Sequence, residues 1–584
     1  MIVIRSLLTG LFAHSWAAAL TCALILAADS TYAGLEAFLL SGPAPDDNGI
    51  FSTARPPVLN DAGQLAFMAG LTNTAGGSTS SDRQGLFLRE PDGTYVQIAR
   101  GGQQAPGGGG ALTYFGETPW LNNAGDVAFQ QQGNVSGIYR GAPLVKIARI
   151  DEAAPLSGTF SSMRFGGMND AGQISFQASM SNTTLPAGNR AIYRGDGQSL
   201  VEIARIGSAV PGGQGTYSAL ELYTKINGVG EVAFAGSSNI AAFGSAIFRG
   251  DGVNTAVIAR RGQPAPAFGG GTNGTYNGIP AKPLTINDAG EVAFTWGVAG
   301  ASGGYSTALF RSDGEQAAMI LHAGMSAPDS SGGTTGTFFS WDRPVINNHG
   351  EVSVWAQLQG TPGGSTDNMG LFVGDGSTLR QIVRSGDLAP DGNGRLQIYS
   401  RNSIINDAGQ TAFQASHTGA LVRTSGGVYF SDPKLGLLTV ARAGQPLLGS
   451  TIGSVWLAGN LDIPINDMET SGLNEHGQVA FQFQLATGAY GLAIWTPPNS
   501  DFNDDGLVNG DDLALLTANY GKTPATLGDG DSNGDNVVDG TDFIYWQRQA
   551  TFASVEAAAS VPEPAAWLLI VLVAPFLRGA GKRV

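Results

Sequence analysis

Two acidic segments near the C-terminus have the length and spacing of calcium-binding loops. The first runs from Asp501 to Asp512 and the second from Asp531 to Asp542. Both carry oxygen-bearing side chains at loop positions 1, 3, 5, 9 and 12 and a backbone carbonyl at position 7, a spacing that directs oxygens inward on a tightly turned loop. The predicted ligands of two Ca²⁺ ions are Asp501, Asn503, Asp505, Leu507, Asn509 and Asp512 in the first loop and Asp531, Asn533, Asp535, Val537, Asp539 and Asp542 in the second.

Calcium loops of this kind need a sharp turn at position 6 and a helix after the last ligand. Gly506 supplies the turn in the first loop, and Asn536 replaces glycine in the second, where Asn tolerates the left-handed backbone. We predict short helices over residues 513–520 and 543–549. The alternative is an Asp-, Asn- and Gly-rich linker that binds no metal, and the presence of two adjacent copies argues against it.

The two loop–helix units together resemble a type I dockerin module, which we assign to residues 498–552. The resemblance is carried by the predicted ligands and by the Leu or Val that follows each turn. Both loops end in Asp, as dockerin loops do, rather than in the Glu of EF-hands. The resemblance implies a small α-helical module of two packed units that docks to a cohesin. A calcium-stabilised stalk is the alternative use.

Arginine recurs at the end of one apolar strand in most repeats of the region before this module. In a closed ring, these residues would form a circle of positive charge able to bind an anionic polysaccharide. The alternative, which the repetition of one residue type favours, is a structural contact of each arginine with backbone or a carboxylate of the neighbouring unit. The candidate ring consists of Arg100, Arg149, Arg205, Arg260, Arg384 and Arg442.

The same region shows no catalytic constellation, so we expect no catalysis. A carboxylate follows a turn glycine in four repeats, and although glycosidases use paired carboxylates, solvent-facing strand starts are the favoured interpretation. Five tryptophans are candidates for stacking on sugars, with core packing as the safer interpretation. These residues are Asp126, Glu231, Glu291 and Glu351, and Trp120, Trp296, Trp341, Trp355 and Trp456.

A repeated unit must position these side chains. It is marked by the phrase Asn-x-x-Gly-x-x-Ala-Phe, which recurs eight times. The copies are spaced by 47 to 68 residues, which indicates one supersecondary unit repeated in space. The phrase resembles the NxxGxxAF tandem repeat of a family of bacterial surface proteins, over about residues 35–497. Membership implies surface display and supplies no catalytic residue. The copies begin at Asn60, Asn122, Asn169, Asn227, Asn287, Asn347, Asn406 and Asn474.

Each unit is predicted to be a four-stranded antiparallel meander, because short runs of Val, Ile and Phe alternate with Asn, Asp and Gly turns. Eight meanders predict an all-β domain over residues 34–497, a β-propeller of eight units. Two smaller propellers and an open solenoid are the alternatives. The array begins with a spare strand at 36–40 and ends one strand short after 491–495, so we predict that these segments pair and close the ring.

The N-terminus is predicted to be a signal peptide over residues 1–33. Arg5 precedes an apolar run, and small residues permit cleavage after Ala33. The only cysteine, Cys22, lies inside this segment. The exported chain must therefore fold without disulfides.

The C-terminus resembles a PEP-CTERM sorting signal over residues 561–584, after a linker at 553–560. Pro562-Glu563-Pro564 precedes an apolar segment and a basic tail. The 13 apolar residues of that segment would span about 20 Å as a helix, which is short for a permanent transmembrane anchor. The resemblance implies processing by an exosortase-type enzyme after signal peptidase. A plain short tail anchor is the alternative.

Composition excludes a nucleic-acid binder of the basic kind. Lys plus Arg is 31 and Asp plus Glu is 47, so the net charge is −16, and only 13% of residues are charged. We therefore predict an exported scaffold or binding protein at the cell surface, outer envelope or extracellular matrix of a Gram-negative-type bacterium. The alternative is a surface-tethered lectin or carbohydrate-active hydrolase or lyase that binds extracellular polysaccharide.

Overall fold

The computed structural model divides the chain into two compact units, with the boundary between Pro497 and Pro498. It describes residues 34–76, 81–115, 118–133, 135–141, 143–184, 188–399, 404–419, 426–458 and 471–550. The predicted signal peptide, the linker and the sorting motif at Pro562, Glu563 and Pro564 lie outside these ranges. Within the ranges, no helix is long and apolar enough to cross a membrane.

The first unit is an eight-bladed β-propeller, as the repeat predicts. Eight antiparallel sheets follow one another along the chain. The first strands of neighbouring blades contact one another, which makes them the innermost strands. Each blade therefore runs outward from the centre through four main strands, and blades 5, 6 and 8 add a short strand beside the innermost one.

The blades consist of four or five strands each. Blade 1 contains Ile50–Ala54, Val58–Leu59, Leu65–Thr72, Gln84–Arg89 and Tyr95–Arg100, and blade 2 contains Tyr114–Phe115, Trp120–Leu121, Val127–Gln132, Gly137–Gly141 and Val145–Arg149. Blade 3 contains Thr159–Met168, Ile174–Ser181, Arg190–Gly195 and Leu200–Arg205, and blade 4 contains Tyr217–Ile226, Val232–Ser238, Ser245–Gly250 and Thr255–Arg260. Blade 5 contains Pro264–Pro266, Thr272–Ile286, Val292–Ala299, Thr307–Ser312 and Ala317–His322, and blade 6 contains Ser326–Pro328, Thr334–Ile346, Val352–Gln359, Met369–Gly374 and Leu379–Arg384. Blade 7 contains Arg395–Ile398, Ile404–Ile405, Thr411–Thr418, Gly427–Asp432 and Gly436–Arg442, and blade 8 contains Pro446–Leu447, Ser450–Leu457, Val479–Leu485, Tyr490–Trp495 and Leu35–Leu39.

The ring closes by pairing its first strand with its last. Leu35–Leu39 is the outer strand of blade 8 and pairs antiparallel with Tyr490–Trp495, in the register that sets Phe38 opposite Leu492. The predicted closure is confirmed. The alternatives of two smaller propellers and an open solenoid are therefore wrong.

The Ala-Phe pair of the repeat packs adjacent blades together. Successive residues of a strand point to opposite faces of its sheet. In blade 5, Phe294 packs in a cluster with Ile247 of blade 4, whereas Ala293 lies in the cluster that contains Phe338 of blade 6. The small Ala leaves room for the aromatic ring of the next blade. The hydrophobic core is therefore a series of layers between blades.

Eight asparagines, the first residue of each repeat phrase, form a closed circle of hydrogen bonds. The Nδ2 of each donates to the backbone oxygen of its counterpart in the next blade, at 3.0 to 3.2 Å. Asn474 completes the circle by donating to the oxygen of Asn60. Each Oδ1 accepts the backbone N–H four residues later, at 2.7 to 3.0 Å. All eight side chains are buried, so the circle satisfies polar groups that water does not reach.

The glycine of the phrase is required by the turn between the first and second strands of each blade. Its φ is positive in all eight copies, between +71° and +88°. Glycine adopts these values at low cost because it lacks a Cβ. This turn places the asparagine amide within reach of the next blade and, in blades 3, 4 and 5, the glycine carbonyl within reach of the preceding blade.

The second unit contains two short helices, α1 over Gly510–Ala518 and α2 over Gly540–Gln549. Both begin three residues earlier than predicted. The physical reason is a capping box: Asn509 and Asp539 accept backbone N–H groups of the first turn, so the helix starts within the loop. The hydrophobic core of this unit consists of Phe502, Leu516, Ala525, Val538 and Trp546.

Removing one member of the asparagine circle should destabilise the propeller. Asn287→Ala leaves the oxygen of Asn347 and the N–H of Glu291 without these partners, so we expect the free energy of unfolding to fall by about 2–4 kcal/mol. Asn277→Ala, at an exposed position of the inner strand that ends just before Asn287, is the control and should change it by less than about 0.5 kcal/mol. Urea unfolding measures both. Equal effects would contradict a structural role for the circle.

Candidate functional site

The first predicted calcium loop, Asp501–Asp512, is held in shape by its own carboxylates. Asp501 accepts the backbone N–H groups of Asp505 (3.1 Å) and Gly506 (2.8 Å). Asp512 accepts the N–H of Phe502 at 2.7 Å, which joins the end of the loop to its beginning. Gly506 has φ +83°, the left-handed value expected at the sixth position. The loop is therefore already turned as its spacing predicts.

The second loop, Asp531–Asp542, repeats this arrangement. Asp531 accepts the N–H groups of Asp535 (3.2 Å) and Asn536 (2.8 Å), and Asp542 accepts that of Ser532 (2.9 Å). Asn536 has φ +67°, so it adopts the backbone conformation of the glycine that it replaces. The duplicated sequence thus gives two loops with the same hydrogen-bond pattern.

Three carboxylates of these loops are buried. Asp512 and Asp542 have no exposed surface, and Asp531 is 3% exposed. Burial raises the pKa of Asp531 and that of Asp542, because it disfavours the charged form. A divalent cation would offset this burial cost, so the donor set fits Ca²⁺.

The described part of the second unit carries a strong negative charge. Residues 498–550 contain ten Asp, and Lys522 and Arg548 are the basic residues, so the net charge is 2 − 10 = −8, half of the −16 of the full chain. Like charges at this density repel one another. Binding of cations would relieve the repulsion.

The acidic and imidazole side chains do not by themselves assemble a metal centre. In the part of the chain that the structure describes, no group of three or more His, Cys, Asp or Glu side chains is placed to hold a metal ion. The predicted ligand sets also depend on amide oxygens and on the carbonyls of Leu507 and Val537. Calcium binding stays a prediction at both loops.

The six arginines of the predicted ligand ring each contact their own blade. Each ends an outer strand, and the side chains of Arg100, Arg205, Arg384 and Arg442 are buried. The contacts join this strand to an inner strand or loop of the same blade, so these guanidinium groups act as structural clamps. The partners include Asp46 for Arg100 (3.1 Å), the Gly108 oxygen for Arg149, the Pro155 oxygen for Arg205 (2.9 Å), the Phe243 ring for Arg260 (5.6 Å), the Thr335 oxygen for Arg384 (3.0 Å) and Asp391 for Arg442 (2.5 Å).

A second set of arginines, absent from the predicted site residues, joins neighbouring blades. In blades 2, 3 and 4, Arg140, Arg194 and Arg249 each donate to the backbone oxygen of the turn glycine in the next blade. In blade 6, Arg380 on the outer strand does the same for blade 7. The sequence signal for three of them was an Arg-Gly pair at the end of the third strand, recurring at a fixed place in the repeat.

The carboxylates after the turn glycine are between 21% and 31% exposed and also have partners within the fold, so the solvent-facing interpretation describes them only in part. Glu231, Glu291 and Glu351 accept from the Nδ2 of the asparagine in their own blade, at 2.9 to 3.1 Å. All four carboxylates also pair with an arginine, as Asp126 does with Arg140 at 3.0 Å. The second N–H of the asparagine amide needs an acceptor, and in seven of the eight copies the residue four positions later supplies it.

The tryptophans considered for sugar stacking belong largely to the interior. Trp296 is fully buried, and Trp120 and Trp355 are 9% and 5% exposed. Trp341 is partly buried and donates its indole N–H to the hydroxyl of Thr295 at 2.9 Å. Core packing is therefore confirmed for the three buried rings.

A partly buried histidine, His417 of blade 7, is held in its neutral form. Its Nε2 is hydrogen-bonded to the hydroxyl of Tyr429, whose own pKa is raised by burial. Its Nδ1 is buried without a partner among the described residues. Burial and the positive charge of Arg442 lower the pKa of His417 to about 4. The imidazole is therefore uncharged at neutral pH.

The propeller coincides with a known sequence family. The profile of a family described as "Family of unknown function (DUF7453)" matches residues 35–139 and 131–498. The chain belongs to the DUF7453 family. The match ends where the second unit of this DUF7453 chain begins, so the acidic loops lie beyond it. Comparison with proteins of curated function gave no match.

Solved structures resemble this DUF7453 chain weakly. A puromycin-hydrolyzing peptidase of Mycobacterium tuberculosis matches with 12% identity and a TM-score of 0.32, over 76% of this chain and 61% of the peptidase. The β-propeller domain of the Trilobed protease from Pyrococcus furiosus matches with 11% identity and a TM-score of 0.23, over 58% and 99%. Trypanosoma rangeli sialidase matches with 9% identity and a TM-score of 0.26, over 83% and 61%. The chain spans 52% to 61% of the length of that peptidase and of two others, an acylaminoacyl peptidase of Pyrococcus horikoshii and prolyl oligopeptidase B from Galerina marginata. At these TM-scores, the likenesses carry no argument about function.

The acidic loops predict a calcium-dependent structure in the full DUF7453 chain. Adding Ca²⁺ should slow hydrogen exchange of residues 501–550 more than Mg²⁺ does, because Mg²⁺ demands a stricter octahedral geometry. Asp512→Ala should remove this protection in the first loop. Asp511→Ala, an exposed neighbour outside the predicted ligand set, should retain it. Exchange rates that respond neither to Ca²⁺ nor to a chelator would refute the assignment.

His417 predicts a loss of stability in mild acid. Its pKa is about 4 in the folded chain against an ordinary value of 6.5, so the unfolded state takes up a proton first as the pH falls. The free energy of unfolding should therefore decrease from about pH 6.5 down to about pH 4. His417→Gln removes this contribution, so its stability deficit should shrink between pH 7 and pH 4.5 in urea unfolding. A deficit that stays constant with pH would show that the histidine does not titrate as stated.

Proposed function

We propose that this DUF7453 chain is an exported, cell-surface scaffold or binding protein whose propeller presents a rigid surface and performs no catalysis. The observation that carries the proposal is the use of the recurring polar residues. The eight asparagines bind the next blade, and the two sets of arginines clamp strands, loops and turns. Residues used in this way hold a platform together. In this proposal, the residues that differ from blade to blade bind the ligand.

The second unit serves, in this proposal, as a dockerin-like stalk over residues 498–552 that is stabilised by two Ca²⁺ ions. The duplicated turns, the buried Asp512 and Asp542 and the net charge of −8 support this role. Bound calcium would supply a cross-link between the first and last residues of each loop. A stalk of this kind is rigid only where calcium is present, as in an extracellular setting.

Export and anchoring rest on the sequence signals at the two ends. The segment 1–33 resembles a signal peptide, and 561–584 resembles a PEP-CTERM signal. Signal peptidase and an exosortase-type enzyme are the implied partners. Both signals direct the propeller to the outside of the cell, where a binding surface has access to extracellular polysaccharide.

Replacing the sorting motif tests surface display. The triple change of Pro562, Glu563 and Pro564 to Ala should leave unprocessed precursor in the membrane fraction of a host that makes an exosortase, as read by immunoblotting of cell fractions. The matched control changes Pro497 and Pro498 to Ala, which leaves the motif intact and should be processed normally. Equal processing of both variants would contradict sorting. Failure of the unmodified chain to reach the surface would refute the proposed function.

A further inference from the structure

The inner strand of blade 6 contains a single-residue bulge at Phe339. Phe338 lies opposite Leu358 and Ser340 lies opposite Gln357, so Phe339 has no residue opposite it. A bulge re-aims a side chain relative to the sheet. Phe338 is fully buried and packs edge-on against Phe372, whereas Phe339 is 58% exposed. The fold needs the first of these aromatic rings for its core and presents the second to solvent.

Other blades provide an internal comparison for this position. The same bulge interrupts the inner strands of blades 1, 3, 4 and 8, in each case directly after a buried hydrophobic residue. The bulged residues there are Ser52, Ser161, Ser218 and Gly453. A small residue therefore satisfies the structural demands of the bulge. The structural demands of the bulge therefore do not explain the exposed phenylalanine of blade 6.

Phe339 borders a cavity of about 300 Å³, which we call the blade 6 cavity. None of the residues that line it is ionisable. This neutral lining contrasts with the net charge of −16 of the chain. The lining residues used below are Phe339, Gln357, Gln359, Thr361 and Asn368.

The polar groups of the blade 6 cavity are amides and a hydroxyl. The Oδ1 of Asn368 is buried without a hydrogen-bond partner among the described residues. The Oε1 of Gln357 accepts from the Ser340 hydroxyl at 3.4 Å, which orients the amide. Because the protein itself covers this atom, the amide that the cavity offers to a ligand most openly is that of the exposed Gln359.

The loop that forms one wall of the cavity is held in place by internal hydrogen bonds. The hydroxyl of Thr361 donates to the oxygen of Gly364 at 3.1 Å and also to Asp367. Asp367 in turn accepts the N–H of Gly363 at 3.0 Å. A wall that is already ordered loses little conformational entropy when a ligand binds.

We propose that the blade 6 cavity binds a hexose residue of a neutral polysaccharide. A pyranose ring has a face of C–H groups, which matches the exposed ring of Phe339, and a rim of hydroxyls, which matches the amides of Gln357 and Gln359. A cavity of about 300 Å³ has room for one sugar ring. The absence of cationic groups from its lining disfavours uronic acid polymers. This inference deepens the proposed function by naming the class of ligand that the displayed propeller binds.

The test measures binding of the full chain by calorimetry to cellohexaose, maltohexaose and mannohexaose, with polygalacturonate as the anionic probe. We expect saturable binding of at least one neutral oligosaccharide and a tenfold or greater loss of affinity in Phe339→Ser. Serine is the residue found at this bulge in blades 1, 3 and 4, so the variant should fold, and an unchanged Tm confirms it. Phe339→Tyr should retain binding. Val253→Ser removes an exposed apolar side chain of blade 4 and should have no effect.

Three outcomes would overturn the inference. One is binding that Phe339→Ser leaves unchanged, another is binding of polygalacturonate alone, and the third is no binding of any neutral oligosaccharide. None of these bears on whether the chain reaches the cell surface, which the sorting experiment decides separately.

Discussion

The circle of eight asparagines is the interaction on which the propeller depends. Each amide accepts from its own turn and donates to the next blade, and in seven of the eight copies it also donates to the side chain four residues later. Aspartate lacks the donors, serine lacks the reach and glutamine is one methylene longer, so asparagine alone supplies all three bonds in this geometry. Because each asparagine also offers its own backbone oxygen, the circle is complete only when eight blades are present.

A second row of contacts runs beside this circle and shows how much variation it permits. The residue after each asparagine donates its N–H to the side chain of its counterpart in the next blade at seven junctions. At the eighth, Gly228 has no side chain to offer to Asp170. The first circle remains intact there, with Asn169 donating to the oxygen of Asn227 at 3.1 Å. This second row of contacts is therefore supplementary, because the fold tolerates its interruption.

Much of the fold could be predicted from the sequence because its signals are local. The turn residues and the alternating apolar runs determine the strands, and the spare strand at one end of the array determines how the ring closes. The roles of the polar residues could not be predicted in the same way. Asn287 looks like an ordinary turn residue until Asn347 of the next blade is placed beside it, and Glu291 looks exposed until that amide is positioned. Contacts between units 60 residues apart leave no local pattern.

The two candidate sites also differ in whether local sequence was enough to predict them. The spacing of Asp501 and Asp512 was sufficient to predict a closed loop, because the backbone N–H groups that these two carboxylates accept belong to the loop itself. The exposure of Phe339 was not predictable, because it depends on the strand register, which shifts by one residue between Phe338 and Ser340. Neighbouring phenylalanines in a sequence are indistinguishable until the partner strand assigns one to the core.

The pairing of Leu35–Leu39 with Tyr490–Trp495 also imposes an order of events on synthesis. The ribosome makes the outer strand of blade 8 before any blade and makes its neighbour after all the others. Seven blades can be assembled in turn while this strand remains unpaired. A message truncated before residue 490 yields an arc with two open ends, and such edges invite pairing with other polypeptides. Only a translation product that extends through Trp495 can become a ring.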